Sequence, residues 1–242
     1  MIPRIIHQSW KDENVPERWL PYQKTWRDKH PDYEYRFWTD DDNRRFVEQF
    51  YPRLLPTYDG YRHPVNRADL ARCLVVAHHG GIYADLDCEC LRPLDDLLTG
   101  RELIFGFEPK AHVEKPAVAS RGLSRIVCNA IFAAIPNHPF WEHLLPLMEA
   151  ARDEPNVLEA TGPFVLTRAY ESYPAQSGIT VLPSNVFYPV DHFLQNTSEA
   201  ASGDASYVVH HWAGTWWRSA VLNNARQRIL AARKDGATPG GR

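Results

Sequence analysis

Cysteine is scarce in this sequence, and its spacing argues against disulfide bonds and against a zinc site. The 242 residues contain four cysteines, at positions 73, 88, 90 and 128, too few and too unevenly placed for a disulfide framework. Cys88 and Cys90 form a C-x-C pair, and no second Cys/His pair stands at zinc-finger distance. We expect four reduced thiols that are buried as small hydrophobic side chains.

Long apolar runs and an excess of one charge are missing as well. No stretch approaches the roughly 20 consecutive apolar residues that span a bilayer, and the start MIPRIIHQSW lacks the layout of a signal peptide. The formal net charge is only −3, without the concentrated basic face that nucleic-acid binding requires. We therefore expect a cytoplasmic protein whose partners are small molecules or glycans, and no nucleic acid.

What is present is material for one large core in an α/β fold. The chain is 44% hydrophobic and 12% aromatic, which predicts one domain over residues 1–235, followed by a disordered tail at 236–242. Strand patterns alternate with helix patterns, and the best helix pattern runs from Pro64 to Gly80 and Gly81. Residues 82–90 read as one strand and residues 110–124 as a loop.

The segment Asp85-Leu86-Asp87 is the candidate for chemistry, although two aspartates at this spacing are common at strand ends. In a continuous strand, Asp85 and Asp87 share one side with Glu89, while Leu86 and the neighbouring cysteines face the core. Two carboxylates with no adjacent lysine or arginine repel each other. A hard divalent cation such as Mg²⁺ or Mn²⁺ resolves that repulsion.

The surrounding sequence makes this motif more specific. Residues 66–93 resemble the sugar-transferase region of glycosyltransferase family 32, the family of yeast-type initiating mannosyltransferases, which is related to the glucosylating bacterial toxins. Four further motifs resemble the same family in the same order: IPRIIHQSW, NAIFAAIPNHPFW, the Thr161-Gly162-Pro163 turn and HHWAGTW. The resemblance covers most of the chain.

The resemblance implies a GT-A fold, with a Rossmann-like nucleotide-binding sheet flanked by helices. It implies a retaining, metal-dependent transfer of a hexose from a GDP- or UDP-sugar to a hydroxyl of a glycan or lipid-linked acceptor. The cofactor would be Mn²⁺ or Mg²⁺. A role in polysaccharide or glycoconjugate biosynthesis follows from the same likeness.

The resemblance also assigns roles to four residues around the donor. It places Asp87 on the metal, and Asp85 on the ribose and on the metal through water. It places Asp69 at the hydroxyls of the sugar and Arg72 near the sugar and the diphosphate, so that Arg72, Asp85 and Asp87 form the catalytic set. Asp69 and Arg72 also have a purely structural reading, as an ion pair three residues apart on one helix face.

Other positions follow from the resemblance with less support from the residues themselves. Trp10 would stack on the nucleotide base, or simply belong to the core, and Trp216 would contact the donor, although Thr215 replaces the usual serine. Asn129 and Gly162 match positions near the sugar or acceptor, but they could merely end a strand and permit a turn.

The pair His210-His211 offers a further metal ligand. Alternation along a strand sends the two rings to opposite faces, so only one of them can bind the metal. The resemblance favours His210, and the other ring would be an ordinary buried or surface histidine.

Two other functions remain as alternatives, and the C-terminal residues also have two interpretations. An aspartate-nucleophile phosphatase also carries D-x-D, but Glu89 stands where that class needs threonine or valine. A sugar-binding module would use the eight tryptophans for stacking. Residues 215–242 are rich in lysine and arginine beside Trp216 and Trp217, so they form either a solvated helix face or a peripheral contact with the inner membrane face.

Overall fold

The computed structural model describes residues 1–190 and 205–214, and it confirms the predicted α/β class. The chain divides into two compact units, residues 1–211 and 212–242. Of the second unit only residues 212–214 are described, and Trp212 there has a left-handed backbone with φ 49°. The domain over 1–235, the disordered tail and the basic helix after residue 215 remain predictions, because residues 215–242 lie outside the described part.

The strands and helices alternate along the chain as the sequence predicts. The described strands are β1 (Ile5–Ser9), β2 (Glu34–Trp38), β3 (Gly81–Ala84), β4 (Cys88–Cys90), β5 (Leu103–Phe107), β6 (Val127–Ala134), β7 (Ile179–Leu182) and β8 (Val208–His210). The described helices are α1 (Leu20–Lys29), α2 (Asp40–Phe50), α3 (Leu55–Gly60), α4 (Pro64–His79), α5 (Asp95–Leu98), α6 (Lys110–Val113), α7 (Pro116–Ala119), α8 (Phe140–Ala150), α9 (Val157–Ala160), α10 (Pro163–Ser172) and α11 (Ser184–Phe187).

The strands form a six-stranded sheet and a separate two-stranded ribbon. The sheet has the order β2-β1-β3-β6-β5-β7, and β6 runs antiparallel to both of its neighbours while the other pairings are parallel. In the ribbon, β4 pairs antiparallel with β8, with Cys88 opposite His210. In the described residues, no helix is both long enough and apolar enough to cross a membrane.

Two details of the predicted elements are wrong. Residues 82–90 are not one strand, because β3 ends at Ala84 and β4 begins at Cys88, in the other sheet. Burial nevertheless alternates through the break: Leu86 and Cys88 are buried, while Asp85 and Asp87 are partly exposed. Residues 110–124 are not a structureless loop, since they contain α6 and α7. The prediction of buried free cysteines is confirmed for all four.

Helix α4 is the central element of the fold, and the two glycines after it direct the chain into the sheet. Pro64 occupies its first turn, and ten of its sixteen residues are buried. Gly80 and Gly81 have positive φ values of 67° and 97°. A Cβ on Gly81 would lie 2.6 Å from the backbone oxygen of Ile5, so glycine is required where β3 joins the edge of β1.

His7 ties the end of α4 to the sheet as a neutral imidazole. Its side chain is fully buried, its Nε2–H donates to the Gly80 oxygen at 2.9 Å, and its Nδ1 accepts from Trp38 Nε1 at 3.1 Å. A proton on Nδ1 would break the second bond. Burial accordingly lowers the pKa of His7 from 6.5 to about 4.

We expect this histidine to make the protein less stable in mild acid. Between pH 6.5 and 4 the unfolded chain binds a proton at position 7 that the folded protein does not, so the stability present above pH 6.5 is lost as the pH falls. The pKa values correspond to a loss of about 2 kcal/mol between pH 7 and pH 5. Urea unfolding at both pH values should show this extra loss in the parent relative to His7→Gln. Equal losses in the two proteins would contradict the assignment.

Candidate active site

The segment Asp85-Leu86-Asp87 is a tight turn that connects the two sheets. The Asp85 N–H donates to the Ala130 oxygen on β6 at 2.9 Å, and the Cys88 N–H donates back to the Asp85 oxygen at 3.0 Å. Asp85 and Asp87 therefore do not share a strand face, contrary to the expectation from a continuous strand. Each carboxylate instead has its own set of partners.

Asp85 belongs to a buried group of charges centred on Arg72. The Arg72 guanidinium contacts Asp85 Oδ1 at 3.0 Å and Asp69 Oδ1 at 3.1 Å, and it donates to the Asn129 oxygen at 3.0 Å. The side chains of Arg72 and Asp69 are 8% and 6% exposed, and that of Asp85 is 26% exposed. The Arg72 guanidinium thus holds two carboxylates, and Asp85 is the one that is partly exposed to solvent. The i, i+3 relation of Asp69 and Arg72 places them on one helix face, as predicted.

Asp69 is held in place by uncharged donors from other parts of the fold. Asn129 Nδ2 donates to Asp69 Oδ1 at 3.2 Å, and Thr161 Oγ1 donates to Oδ2 at 3.0 Å, while Asn66 Nδ2 donates to Thr161 Oγ1 at 2.8 Å. Burial raises the pKa of Asp69 to about 6, against the effect of Arg72. At pH 7 it is therefore mostly a carboxylate, with both oxygens occupied.

Tyr83 and Thr161 were not singled out as site residues in the sequence. Tyr83 Oη donates to Asp85 Oδ1 at 2.9 Å and lies 3.1 Å from Ser9 Oγ, and Arg72 lies over its ring at 4.8 Å from the centroid. Its position two residues before Asp85 was the available signal. Thr161 lies in the TGP turn, and its hydroxyl bonds Asp69 across the core. Nothing else in the sequence distinguishes these two from a tyrosine or a threonine that only stabilises the fold.

Asp87 is paired with His210, which β8 brings beside the turn. His210 Nε2 lies 3.3 Å from Asp87 Oδ1, and both side chains are nearly buried. Burial disfavours the imidazolium, but the Asp87 carboxylate outweighs it, so that the pKa of His210 is raised above its ordinary value. Because metal binding needs the neutral ring, a cation at this site competes with a proton.

The Asp87 and His210 atoms suit a divalent cation. Neighbouring ligands in an octahedral shell with bonds of about 2.1 Å lie about 3 Å apart, close to the observed 3.3 Å. Cys88 also brings its sulfur within 4.8 Å of both ligand atoms. Burial raises the pKa of Cys88 well above its usual range, so it is a thiol at neutral pH and a poor ligand for Mg²⁺ or Mn²⁺.

His211 lies on the other side of the ribbon, as alternation predicts. Its Nε2 is 3.0 Å from Glu89 Oε2, and its ring stacks on Tyr22 with centroids 4.2 Å apart. Its backbone N–H donates to the Asp87 oxygen at 2.9 Å. Of the two histidines, His210 is the one whose ring reaches Asp87.

Of the remaining predicted residues, Trp10 and Gly162 lie outside these two clusters. Trp10 packs edge-on against Trp19, with ring centroids 4.6 Å apart, and its Nε1 has no hydrogen-bond partner among the described residues. Gly162 precedes α10, where a Cβ would meet Leu158 Cα at 2.8 Å, which is a packing requirement. Trp216 lies outside the described residues. The roles of these three residues toward a donor stay predictions.

Comparison with known proteins indicates what such a site does elsewhere. Residues 16–104 match the family model described as a glycosyltransferase sugar-binding region containing a DXD motif. Inositol phosphoceramide mannosyltransferase 3 of Schizosaccharomyces pombe is 33% identical over 235 residues, covering 88% of this chain and 60% of that protein. Mannosyl phosphorylinositol ceramide synthase CSH1 of Saccharomyces cerevisiae is 30% identical over 204 residues, covering 82% of this chain and 50% of that protein.

These matches differ in what they show. The chain spans between half and three fifths of the length of the two yeast relatives. Among solved structures, PaToxG glycosyltransferase matches with a TM-score of 0.51 at 22% identity, over 72% of this chain and 70% of that one. At that identity the likeness shows the fold alone, and it confirms the predicted GT-A architecture.

Proposed function

Because the chain belongs to the glycosyltransferase family whose sugar-binding region contains a DXD motif, we propose that it transfers a hexose from a nucleoside diphosphate sugar to a hydroxyl. The names of both yeast relatives refer to mannosyl transfer onto a phosphoinositol ceramide. Mannose is therefore the hexose we favour, and a glycan or a lipid-linked sugar is the acceptor class. Either GDP or UDP fits the proposal as the nucleotide.

The observation that carries this proposal is the pair of adjacent clusters at the turn. On one side Arg72 lies between Asp69 and Asp85, and on the other side Asp87 faces His210 at 3.3 Å. The first cluster presents a buried guanidinium and a partly exposed carboxylate to a sugar nucleotide. The second cluster supplies an oxygen and a nitrogen ligand for Mn²⁺ or Mg²⁺.

In the proposed reaction these residues position the donor and stabilise charge. Asp69 keeps Arg72 oriented, Asp85 binds the ribose, and Arg72 faces the charge that develops on the diphosphate. Asp87 and His210 would hold a divalent ion, which would supply Lewis-acid stabilisation of the same charge. The bond from the anomeric carbon to the diphosphate breaks, a bond to the acceptor oxygen forms on the same face, and a diphosphate oxygen takes the acceptor proton. The configuration of the sugar is retained.

A panel of GDP- and UDP-sugars tests the proposal directly. The purified protein should release nucleoside diphosphate from one donor in the presence of Mn²⁺ or Mg²⁺, and chelation should stop the release. An acceptor should increase the rate and yield a product with retained anomeric configuration by NMR. Hydrolysis of generic phosphate esters would favour the phosphatase reading, and glycan binding without donor turnover would favour the sugar-binding module.

The partners and the location of the protein stay predictions. The membrane contact was predicted for residues 215–242, which lie outside the described residues. The cytoplasmic location, a choice of manganese over magnesium and a role in polysaccharide biosynthesis are not needed for the proposed chemistry. The donor panel decides the nucleotide and the metal.

A further inference from the structure

Gln8 on β1 connects the turn at Asp85 to the edge strand β2. Its side chain is fully buried. Its Nε2 donates to the Asp85 backbone oxygen at 3.2 Å, and its Oε1 accepts from Tyr35 Oη on β2 at 2.8 Å. Two hydrogen bonds therefore link a tyrosine outside the site to the backbone of the turn.

The direction of this chain of hydrogen bonds is set by its two ends. The Asp85 oxygen can only accept, so the amide must present its NH₂ group to it and leave its oxygen for Tyr35. Burial raises the pKa of Tyr35 to about 12, so its hydroxyl keeps its proton at neutral pH and donates. In this orientation of the amide, both polar atoms of the Gln8 side chain are hydrogen-bonded. Loss of the Tyr35 hydroxyl would leave the amide free to rotate.

The Asp85 oxygen is the point at which the turn is fastened. It accepts from the Cys88 N–H at 3.0 Å as well as from Gln8, and the Asp85 N–H donates to Ala130. The Asp85 and Asp87 side chains leave the backbone within this turn. A shift of the Asp85 peptide would therefore move one carboxylate away from Arg72 and the other away from His210.

We propose that Gln8 and Tyr35 are positioning residues for the proposed transfer reaction, because they fix the Asp85 peptide and hence the placement of both carboxylates. Neither residue touches the reacting atoms, and the effect passes through the backbone of the turn. The inference rests on the proposed function for its kinetic consequence. The placement of the turn itself can be measured without any reaction.

Tyr33 provides a matched control for Tyr35. Both tyrosines line the same cavity of about 370 Å³ beside Arg27 and His30. Tyr33 Oη donates to Asp95 Oδ1 at 3.1 Å, so its removal, like that of the Tyr35 hydroxyl, deletes one partly buried phenol hydrogen bond. That bond leads to α5 rather than to the turn.

The first test is amide hydrogen exchange in the metal-free protein. In Tyr35→Phe and in Gln8→Met the Cys88 amide should exchange about tenfold faster, as expected for the loss of one hydrogen bond that orders the turn. The amides inside α4 should be unchanged, which separates a local loosening from global unfolding. Tyr33→Phe should leave the Cys88 amide as it is in the parent.

The second test is steady-state turnover with the donor found by the panel. Tyr35→Phe should lower kcat/KM about tenfold and raise the Mn²⁺ concentration for half-maximal activity, while Tyr33→Phe changes neither. Unchanged Cys88 exchange in Tyr35→Phe and Gln8→Met would overturn the inference, and so would faster exchange with parental kinetics. Absence of turnover in the parent would instead refute the proposed function, and the exchange result would still decide whether the two residues place the turn.

Discussion

Asp87→Asn should lower metal-dependent donor turnover about a thousandfold. Asparagine keeps the shape of the side chain but removes the charge that faces His210 Nε2 at 3.3 Å. Without it, one neutral imidazole is left to hold a divalent cation against water, and the several kcal/mol of charge stabilisation from the ion are lost. The measurement is the initial rate of nucleoside diphosphate release across a range of Mn²⁺ concentrations.

A matched substitution separates the metal site from a general loss of charge. Asp95→Asn makes the same change at a carboxylate that accepts from Tyr33 and pairs with Arg4, and its rate should stay within about twofold of the parent. Mn²⁺ binding by titration should weaken in Asp87→Asn and not in Asp95→Asn. If Asp87→Asn retained both turnover and Mn²⁺ affinity, Asp87 would not be the metal ligand.

Arg72→Ala should lower the free energy of unfolding by about 3–5 kcal/mol, the usual cost of removing one partner from a buried ion pair. Arg72 is 8% exposed and lies within 3.1 Å of carboxylates on both sides. Its removal leaves Asp69 and Asp85 without this cation and removes a hydrogen bond to the Asn129 oxygen. Urea unfolding at pH 7 measures the loss.

Two further variants test whether the loss in Arg72→Ala comes from the carboxylates left without their cation. Asp69→Asn introduced into Arg72→Ala removes one of the uncompensated charges, so the double variant should be more stable than Arg72→Ala alone. Arg36→Ala deletes an exposed pair with Glu34 and should cost less than 1 kcal/mol. An Arg72→Ala loss as small as that of Arg36→Ala would show that the buried pairing contributes little.

Local sequence pattern was sufficient to predict much of the fold and the part of the site that contains Asp69 and Arg72. The i, i+3 spacing on a helix brings Asp69 to Arg72, and alternation correctly predicts that Leu86 and Cys88 are buried. The same alternation could not reveal the turn at Asp85, because a turn of exposed aspartates has the same polar pattern as the outer face of a strand. The hydrogen bond from Asp85 to Ala130 that marks the break is a tertiary contact.

Contacts between distant segments account for what the sequence did not predict. The approach of His210 to Asp87 depends on the register that pairs Cys88 with His210 across β4 and β8. Thr161 reaches Asp69 and Asn66, both on α4, only after α4 has packed against the turn between α9 and α10. No local periodicity contains these distances, so strand alternation could not bring His210 to Asp87, and only the resemblance placed both residues at one metal.

The split between the sheet and the ribbon has a consequence for synthesis on the ribosome. Every strand of the six-stranded sheet lies before residue 183, whereas the partner of β4 is β8, at Val208–His210. Chains are delivered from the N-terminus and can begin to fold before they are complete. A nascent chain therefore carries the whole sheet, with Asp69, Arg72 and Asp85, before it carries His210. Its β4 edge and Asp87 lack a partner until the last described strand is made, so His210 is the last of the described site residues to be translated.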